Sequence, residues 1–358
     1  MEFIHEVRSP RVIFHRDSTK RVPEELELIG SKKVLLIFDT SFSEIAIELE
    51  RLLGSRLIGK IAGVKMHVPD DFSEPIIENA RSGGIDTVIT LGGGSATGLG
   101  KIMALELDIK LVVIPTTYAG SEMTPIWGRT TQNEKITGRD NRVLPKLVFY
   151  DAALLENIPT TIAINSGMNA IAHAIEALYS PEVSPIIELA ALKSIEIFNK
   201  YLRVAAKKEK SVEVTENLLY ATMLAGFSLG NATMGIHHKI CHVLGGMYDL
   251  PHAQMHSAVL PYAVEYNEKV AKTALDSVAR ILGAANASQG VWELSKSIGA
   301  EQALKNIGFK SENIEKVSEY IMKSTFVNPR PSELEGIKKL LTAANSGSKP
   351  ELKSKISK

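Results

Sequence analysis

Over the first 150 residues short β-branched runs alternate with helical patterns, which predicts strands joined by crossover helices. Lys33-Val-Leu-Leu-Ile-Phe38 is a continuous apolar run, as expected of a strand buried on both faces, and it ends at Asp39. Ile61 to Val68 predicts a second strand, followed by a helix through Ile77 and Ala80 to Gly83-Gly84. Asp86-Thr-Val-Ile-Thr-Leu91 runs directly into Gly92-Gly93-Gly94-Ser95 and then into a helix from about Thr97 to Leu105. Lys110-Leu-Val-Val-Ile-Pro115 is the next strand and ends in Thr116-Thr117. The close spacing of these strands predicts parallel pairing with right-handed crossovers.

Near Asp151 the texture changes. Past Leu154-Leu-Glu-Asn-Ile-Pro159 the strand signal all but vanishes, and helical periodicity covers Ser166–Tyr179, Pro185–Leu202, Val214–His242 and further segments to about Ala344. Gly245-Gly246 is expected to stop the helix that ends beyond His242, with a short loop closing on Leu250-Pro251. The fold class is therefore an α/β N-terminal domain plus an all-α C-terminal domain. The expected boundaries are 1–153 for the α/β domain, 154–344 for the helical domain and 345–358 for a disordered, lysine-rich tail.

A chain of 358 residues exceeds the roughly 250–300 at which one core stops growing, so two domains agree with its length. Lys+Arg and Asp+Glu balance at 41 each, which leaves no overall field for nucleic acid or an anionic membrane; any anionic substrate needs a local cluster. No apolar run approaches the roughly eighteen residues of a membrane span. The single cysteine, Cys241, cannot form an internal disulfide, and the opening MEFIHEVRSP has no apolar core, so a reducing, cytoplasmic setting is expected.

Two sets of residues suggest chemistry. Gly92-Gly93-Gly94-Ser95, between a strand and a helix, offers bare N–H groups and a helix N-terminus to a phosphate, although the pattern is neither G-x-G-x-x-G nor a P-loop. A second strand end, Pro115-Thr116-Thr117-Tyr118-Ala-Gly120-Ser121, adds hydroxyls and a glycine, and Asp39 could accept hydrogen bonds from a ribose diol. A nucleotide is the simplest ligand that uses all three. The other set lies in Met234–Pro261, which holds five of the nine histidines: His237, His238, His242, His252 and His256. His238 and His242 stand four apart, as do Asn169 and His173 upstream, so each pair shares a helix face. Spacing alone leaves metal, acid/base and packing roles open.

With these residues assembled, the chain resembles the iron-containing alcohol dehydrogenase superfamily, and within it the maleylacetate reductases. The resemblance rests on Gly92-Gly-Gly-Ser-Ala-Thr-Gly98, Pro115-Thr-Thr-Tyr-Ala-Gly-Ser-Glu-Met-Thr-Pro-Ile-Trp-Gly128, Thr137-Gly-Arg-Asp140, Ser166-Gly-Met-Asn-Ala-Ile-Ala-His173 and His237-His-Lys-Ile-Cys-His-Val-Leu-Gly-Gly246. It implies a dinucleotide-binding domain, a helical domain, an active site in the cleft between them, and a homodimer. In the metal-dependent branch one Asp and three His bind a divalent ion, and those positions fall on Asn169, His173, His238 and His252. Asn169 replaces the Asp, and an amide is a poor ligand for zinc or iron. A metal is accordingly not expected to be required.

The implied reaction is NAD(P)H-dependent reduction of the activated double bond of maleylacetate to 3-oxoadipate. His242 is the expected proton donor, with His173, His238 and His252 as hydrogen-bond donors or, in a metal enzyme, ligands. Asp39, Gly93, Gly94, Ser95, Thr116, Thr117 and Ser121 are the expected cofactor contacts, with NAD(H) preferred over NADP(H) because a carboxylate at Asp39 would repel a 2′-phosphate. Tyr118, Arg129, Arg139 and Asn169 are the expected substrate contacts, with Lys135 and Arg142 as further cations for a dicarboxylate; Cys241 is expected to pack. The alternatives are a metal-dependent alcohol or polyol dehydrogenase, a lyase related to dehydroquinate synthase, and a nucleotide-binding protein without turnover.

Overall fold

The computed structural model describes residues 3–66, 68–131, 134–209 and 211–351. Its strands are β1 (Arg11–Phe14), β2 (Val34–Phe38), β3 (Leu57–Ala62), β4 (Thr87–Gly92), β5 (Lys110–Pro115), β6 (Ile126–Thr131), β7 (Glu134–Arg139) and β8 (Leu147–Tyr150). Its helices are α1 (Val22–Leu28), α2 (Ser43–Leu53), α3 (Asp70–Gly83), α4 (Gly94–Leu107), α5 (Ala152–Leu155), α6 (Thr160–Leu178), α7 (Pro185–Ala206), α8 (Val212–Gly230), α9 (Ile236–Tyr248), α10 (His252–Asn267), α11 (Lys272–Leu282), α12 (Ala287–Ile298), α13 (Ile314–Met322) and α14 (Leu334–Ser346). Two compact units result, one α/β (His5–Pro159 with Lys210–Asn231) and one helical (Thr160–Glu209 with the chain from Ala232 onward). No helix among the described residues is long and apolar enough to cross a membrane.

The α/β unit is built on a six-stranded sheet in the order β1-β8-β5-β4-β2-β3, with every pairing parallel. Strands β2 and β4 are buried along their whole length, which is why their sequences are apolar without alternation. Successive side chains go to opposite faces. Val34, Leu36 and Phe38 meet Leu49 and Leu53 of α2 on one side, and Leu35 and Ile37 share a cluster with Leu99, Ile102 and Met103 of α4 on the other. Each such side chain contributes about 1.5–3 kcal/mol when fully buried.

Several local readings need correction. The second strand is Leu57–Ala62, earlier than Ile61–Val68, and its half-exposed alternation marks it as an edge strand. Strands β1 and β8, only four residues each, and the β6–β7 hairpin carry too little pattern to stand out. Helix α8, expected in the helical domain, clusters with the α/β unit. Its glycines explain why: a Cβ on Gly226 would lie 2.2 Å from the Gly120 carbonyl oxygen, and one on Gly230 would lie 2.6 Å from that of Met123. The backbone of α8 therefore lies directly on the loop after β5, an approach only glycine permits.

In the helical unit every residue of α6 from Ala163 to Leu178 is buried, so this helix is enclosed on all sides. Helices α9, α10, α13 and α14 share one apolar core, from Ile240 and Leu244 to Val259, Ile321 and Leu341. The expected continuous helix from Val214 to His242 is two helices, broken at residues 231–235, and α9 runs through Gly245-Gly246 to stop at Asp249 in the left-handed region. A glycine pair costs helix stability but does not end a helix whose flanks are packed. The expected tail begins too early. Asn345 is buried, and the carbonyls of Gly347, Ser348 and Pro350 accept hydrogen bonds from Trp292 (3.2 Å), Tyr262 (2.7 Å) and Gln289 (2.9 Å). Residues 352–358 lie outside the described residues.

Candidate active site

In the α/β unit the C-terminal ends of three adjacent strands bring the first set of residues together. The Asp39 N–H donates to the Leu91 carbonyl at 2.9 Å and the Thr116 N–H to the Gly92 carbonyl at 3.0 Å, so Asp39, the glycine turn and the Thr116 turn lie side by side. Strand order reverses between β2 and β4, since β2 leads outward to β3 whereas β4 leads to β5 on its other side. That reversal is where open parallel sheets collect ligands. Helix α4 starts at Gly94, three residues before the expected start, and no side chain caps it, so its first N–H groups stay available to an anion. A Cβ on Gly93 would sit 2.9 Å from Thr117 Cγ2, and one on Gly94 would meet nothing within 4 Å. The turn is pressed against the Thr117 segment at one glycine and open at the next. Asp39 is exposed and accepts from the Ser41 N–H at 2.9 Å, which fixes its carboxylate at the strand end.

Three of the expected substrate cations have partners within the chain. Arg139 donates to the last carbonyls of α8, Gly230 at 2.6 Å and Leu229 at 3.3 Å. Arg129 pairs with Glu106 at 3.1 Å and Asp70 at 3.8 Å, and Arg142 with Asp140 at 2.7 Å. Tyr118 is buried, burial pushes its hydroxyl pKa up, and Thr215 of α8 hydrogen-bonds it. These groups hold the loop after β5, the hairpin and α8 together. The expected dicarboxylate contacts Arg129, Arg139 and Tyr118 thus each have partners within the chain.

The second set assembles in the helical unit. Helix α6 presents Asn169, His173 and Glu176, spaced four and three along one face; α9 presents His237, His238 and His242, and α10 presents His252 and His256. Ring centroids of His238 lie 5.1 Å from His173, 5.1 Å from His256 and 6.1 Å from His242, and His252 lies 4.3 Å from His256. His238 and His242 are in the first half of α9, not at its end. Glu176, which the spacing argument passed over, organises this face. Its carboxylate accepts from His238 Nδ1 at 2.5 Å and from the N–H groups of Gly235 at 3.0 Å and His237 at 2.8 Å. One buried anion thus caps the start of α9, where the helix dipole favours negative charge, and also fixes a catalytic candidate.

Because Nδ1 of His238 must carry the proton it donates to Glu176, Nε2 is left as a lone pair in the neutral ring. Nε2 of His238 and Oδ1 of Asn169 are buried without a hydrogen-bond partner among the described residues. His237 Nε2 and His256 Nδ1 share a hydrogen bond at 3.0 Å. Burial, and then the neighbouring imidazoles, hold both rings well below the usual histidine pKa. These two are neutral packing histidines, and Cys241, buried 3.9 Å from His237 Nε2, packs beside them.

The positions expected of a divalent site carry no anion. The donor set of Asn169, His173, His238 and His252 has no anionic member, and the nearest carboxylate, Glu176, is committed to three N–H donors. Among the described residues the group of His, Cys, Asp or Glu whose ligand atoms lie within 4.8 Å of one another is His237, Cys241 and His256, not the expected trio.

The parallel sheet with a glycine turn at its strand reversal, joined to a helical unit with a histidine-lined face, is the architecture of a family. The chain belongs to the iron-containing alcohol dehydrogenase family, an oxidoreductase family whose models match residues 9–152 ("Iron-containing alcohol dehydrogenase") and 163–345 ("Fe-containing alcohol dehydrogenase family, C-terminal"). It is 39% identical over 351 residues to a maleylacetate reductase of Pseudomonas sp. (strain P51), covering 98% of this chain and 100% of that one. It is 40% identical over 350 residues to a maleylacetate reductase of Sphingobium indicum, covering 98% and 99%. The crystal structure of maleylacetate reductase from Agrobacterium tumefaciens superposes with a TM-score of 0.91 at 36% identity, covering 98% and 100%.

Proposed function

We propose that this enzyme reduces the carbon–carbon double bond of maleylacetate to 3-oxoadipate, with a nicotinamide cofactor as hydride donor. The observation that carries the reading is Asn169 within the histidine face, where a metal-dependent carbonyl reductase needs an anion, in a chain similar over its full length to maleylacetate reductases. The cofactor is assigned to Asp39, Gly93, Gly94, Ser95, Thr116, Thr117 and Ser121. The exposed Asp39 carboxylate favours NADH, because it would repel the 2′-phosphate of NADPH.

The chemistry is conjugate addition. A bound reduced nicotinamide would supply hydride to the alkene carbon β to the ketone, and the chain's own groups would then have to hold the charge that moves onto the carbonyl oxygen. The enolate then takes a proton at the α carbon, which restores the ketone. Imidazoles from three helices supply both needs. His242, half-buried and one turn beyond His238, is assigned the proton donation. His173 and His252 are assigned hydrogen bonds to the enolate oxygen or a substrate carboxylate. His238 donates from Nε2 only with a second proton, and the adjacent Glu176 carboxylate compensates the charge of that form. We further assign a homodimer in a cytoplasmic setting; light scattering tests the former.

The test is an NADH-oxidation screen over maleylacetate, simple aldehydes and simple ketones, with and without chelator. The expected result is chelator-insensitive oxidation with maleylacetate alone. Metal-dependent turnover of aldehydes, with none of maleylacetate, would replace this reading with that of an alcohol dehydrogenase.

A further inference from the structure

Lys101 lies on α4, seven residues after Gly94 and so two turns along the same helix face. It is 1% exposed. Its Nζ donates to the carbonyls of Ser121 at 2.7 Å, Thr124 at 2.8 Å and Ile126 at 2.7 Å, with Thr124 Oγ1 at 2.9 Å and Ser121 Oγ at 3.4 Å. A surround of five oxygens suits an ammonium with three N–H donors and no lone pair; it is the environment a bound monovalent cation would have. Glu122, a buried residue of the same loop, accepts from Tyr150 Oη at 2.7 Å and attracts the cation, against a smaller repulsion from Arg139. Burial works against it, drawing the Lys101 pKa down to about 7.

The segment that Lys101 grips runs from a single short turn at Ser121–Met123 to Ile126, the first residue of β6, and of its three gripped carbonyls that of Ser121 also accepts the Thr124 N–H at 3.1 Å. It directly follows the Thr116–Ser121 turn. Helix α4 begins at the glycine turn, which touches Thr117 through Gly93. One buried cation therefore ties the helix that starts at one half of the assigned cofactor site to the loop that continues the other half.

We propose that Lys101 is a positioning residue for cofactor binding: its ammonium is an internal cation that holds the Ser121–Ile126 segment, and with it the Thr116–Ser121 turn, in register with the N-terminus of α4. The inference rests on the cofactor assignment above. It differs from ordinary core packing because the interaction is with charge, so a diffusible cation can take over the role.

The test uses the full chain with Lys101→Met, which keeps the volume and removes the charge, and Lys101→Ala, which leaves the oxygens facing an empty slot. NADH affinity is read by fluorescence titration and turnover with saturating NADH. Lys101→Met is expected to weaken NADH binding and raise its KM by about ten- to a hundredfold, as displaced binding groups do, with kcat falling much less. For Lys101→Ala, n-propylammonium is expected to restore binding and tetramethylammonium at equal ionic strength is not. NADH affinity in Lys101→Met within about twofold of the unaltered protein, well short of that range, would overturn the proposal. So would equal responses of Lys101→Ala to both salts, which remain readable if the Met variant fails to fold. Failure of the unaltered protein to bind either nicotinamide cofactor would overturn the parent assignment instead.

Discussion

Replacing Glu176 tests whether the histidine face is built around one buried anion. The side chain is 0% exposed, and its two oxygens serve three N–H donors, with the Tyr179 hydroxyl a longer fourth contact to Oε1 at 3.5 Å: Oε1 takes the His237 N–H, and Oε2 takes the Gly235 N–H and His238 Nδ1. Glu176→Leu keeps the bulk and strands all three donors in the interior. An orphaned buried donor costs about 1–3 kcal/mol, so simple addition gives roughly 3–9 kcal/mol. The three are neighbours and relax together, which places the expected loss at about 3–6 kcal/mol. Glu176→Gln keeps an oxygen for the Gly235 and His238 edge and turns an NH2 toward the His237 N–H, so one donor is stranded and the loss is about 1–3 kcal/mol. The measurement is the urea midpoint at unchanged slope, with kcat at saturating NADH alongside. The expected order is Glu above Gln above Leu in stability, and kcat is expected to fall in Gln more than KM rises, because the His238 ring stays in place while the anion beside it is lost. A Leu variant within about 1 kcal/mol of the native protein, the cost of less than one orphaned donor, would refute the reasoning.

The other expectations are more direct. His242→Ala or His242→Asn should lower turnover by about two to four powers of ten, the usual contribution of a general acid, with NADH affinity unchanged; a loss under about fivefold moves the acid role to another histidine. Asp39→Gly or Asp39→Thr should narrow an NADH preference worth about 1–3 kcal/mol, and equal kcat/KM with both cofactors in the native protein contradicts the assignment. Maleylacetate reduction should survive exhaustive dialysis against chelator, and Asn169→Asp should raise zinc or iron affinity in a calorimetric titration; activity lost to chelator and restored by metal shows that Asn169 is no barrier.

What the sequence discloses depends on how far apart the interacting residues stand. The glycine turn after β4 and the hydroxyl turn after β5 are each complete within a few residues, so both are visible as strings, and parallel pairing then places them side by side without further information. The histidines are visible for the same reason, as fixed spacings on single helices. Arg139 shows the opposite case. Its partners, the Leu229 and Gly230 carbonyls, come about ninety residues later, so the string shows an arginine near a suspected site but not the helix end that it caps from the close of β7. The membership of α8 is hidden likewise, since Gly226 and Gly230 look like helix weaknesses until the loop at Gly120–Met123 lies across them.

Two residues that spacing does not single out are buried charges in largely apolar helices, Lys101 in α4 and Glu176 in α6. That setting is itself a signal, because Lys and Glu are almost never fully buried unless paired. The partner in each case is mainly backbone. Glu176 answers N–H groups at the start of α9, which a helix cannot satisfy internally; Lys101 answers carbonyls of the segment that leads into β6. A charge used this way fixes a piece of chain in space more tightly than an apolar contact, because moving the chain strands several groups at once. It follows that a buried charge in a largely apolar helix is best sought opposite backbone groups that regular structure leaves without a partner, the position each of these two occupies within its own unit.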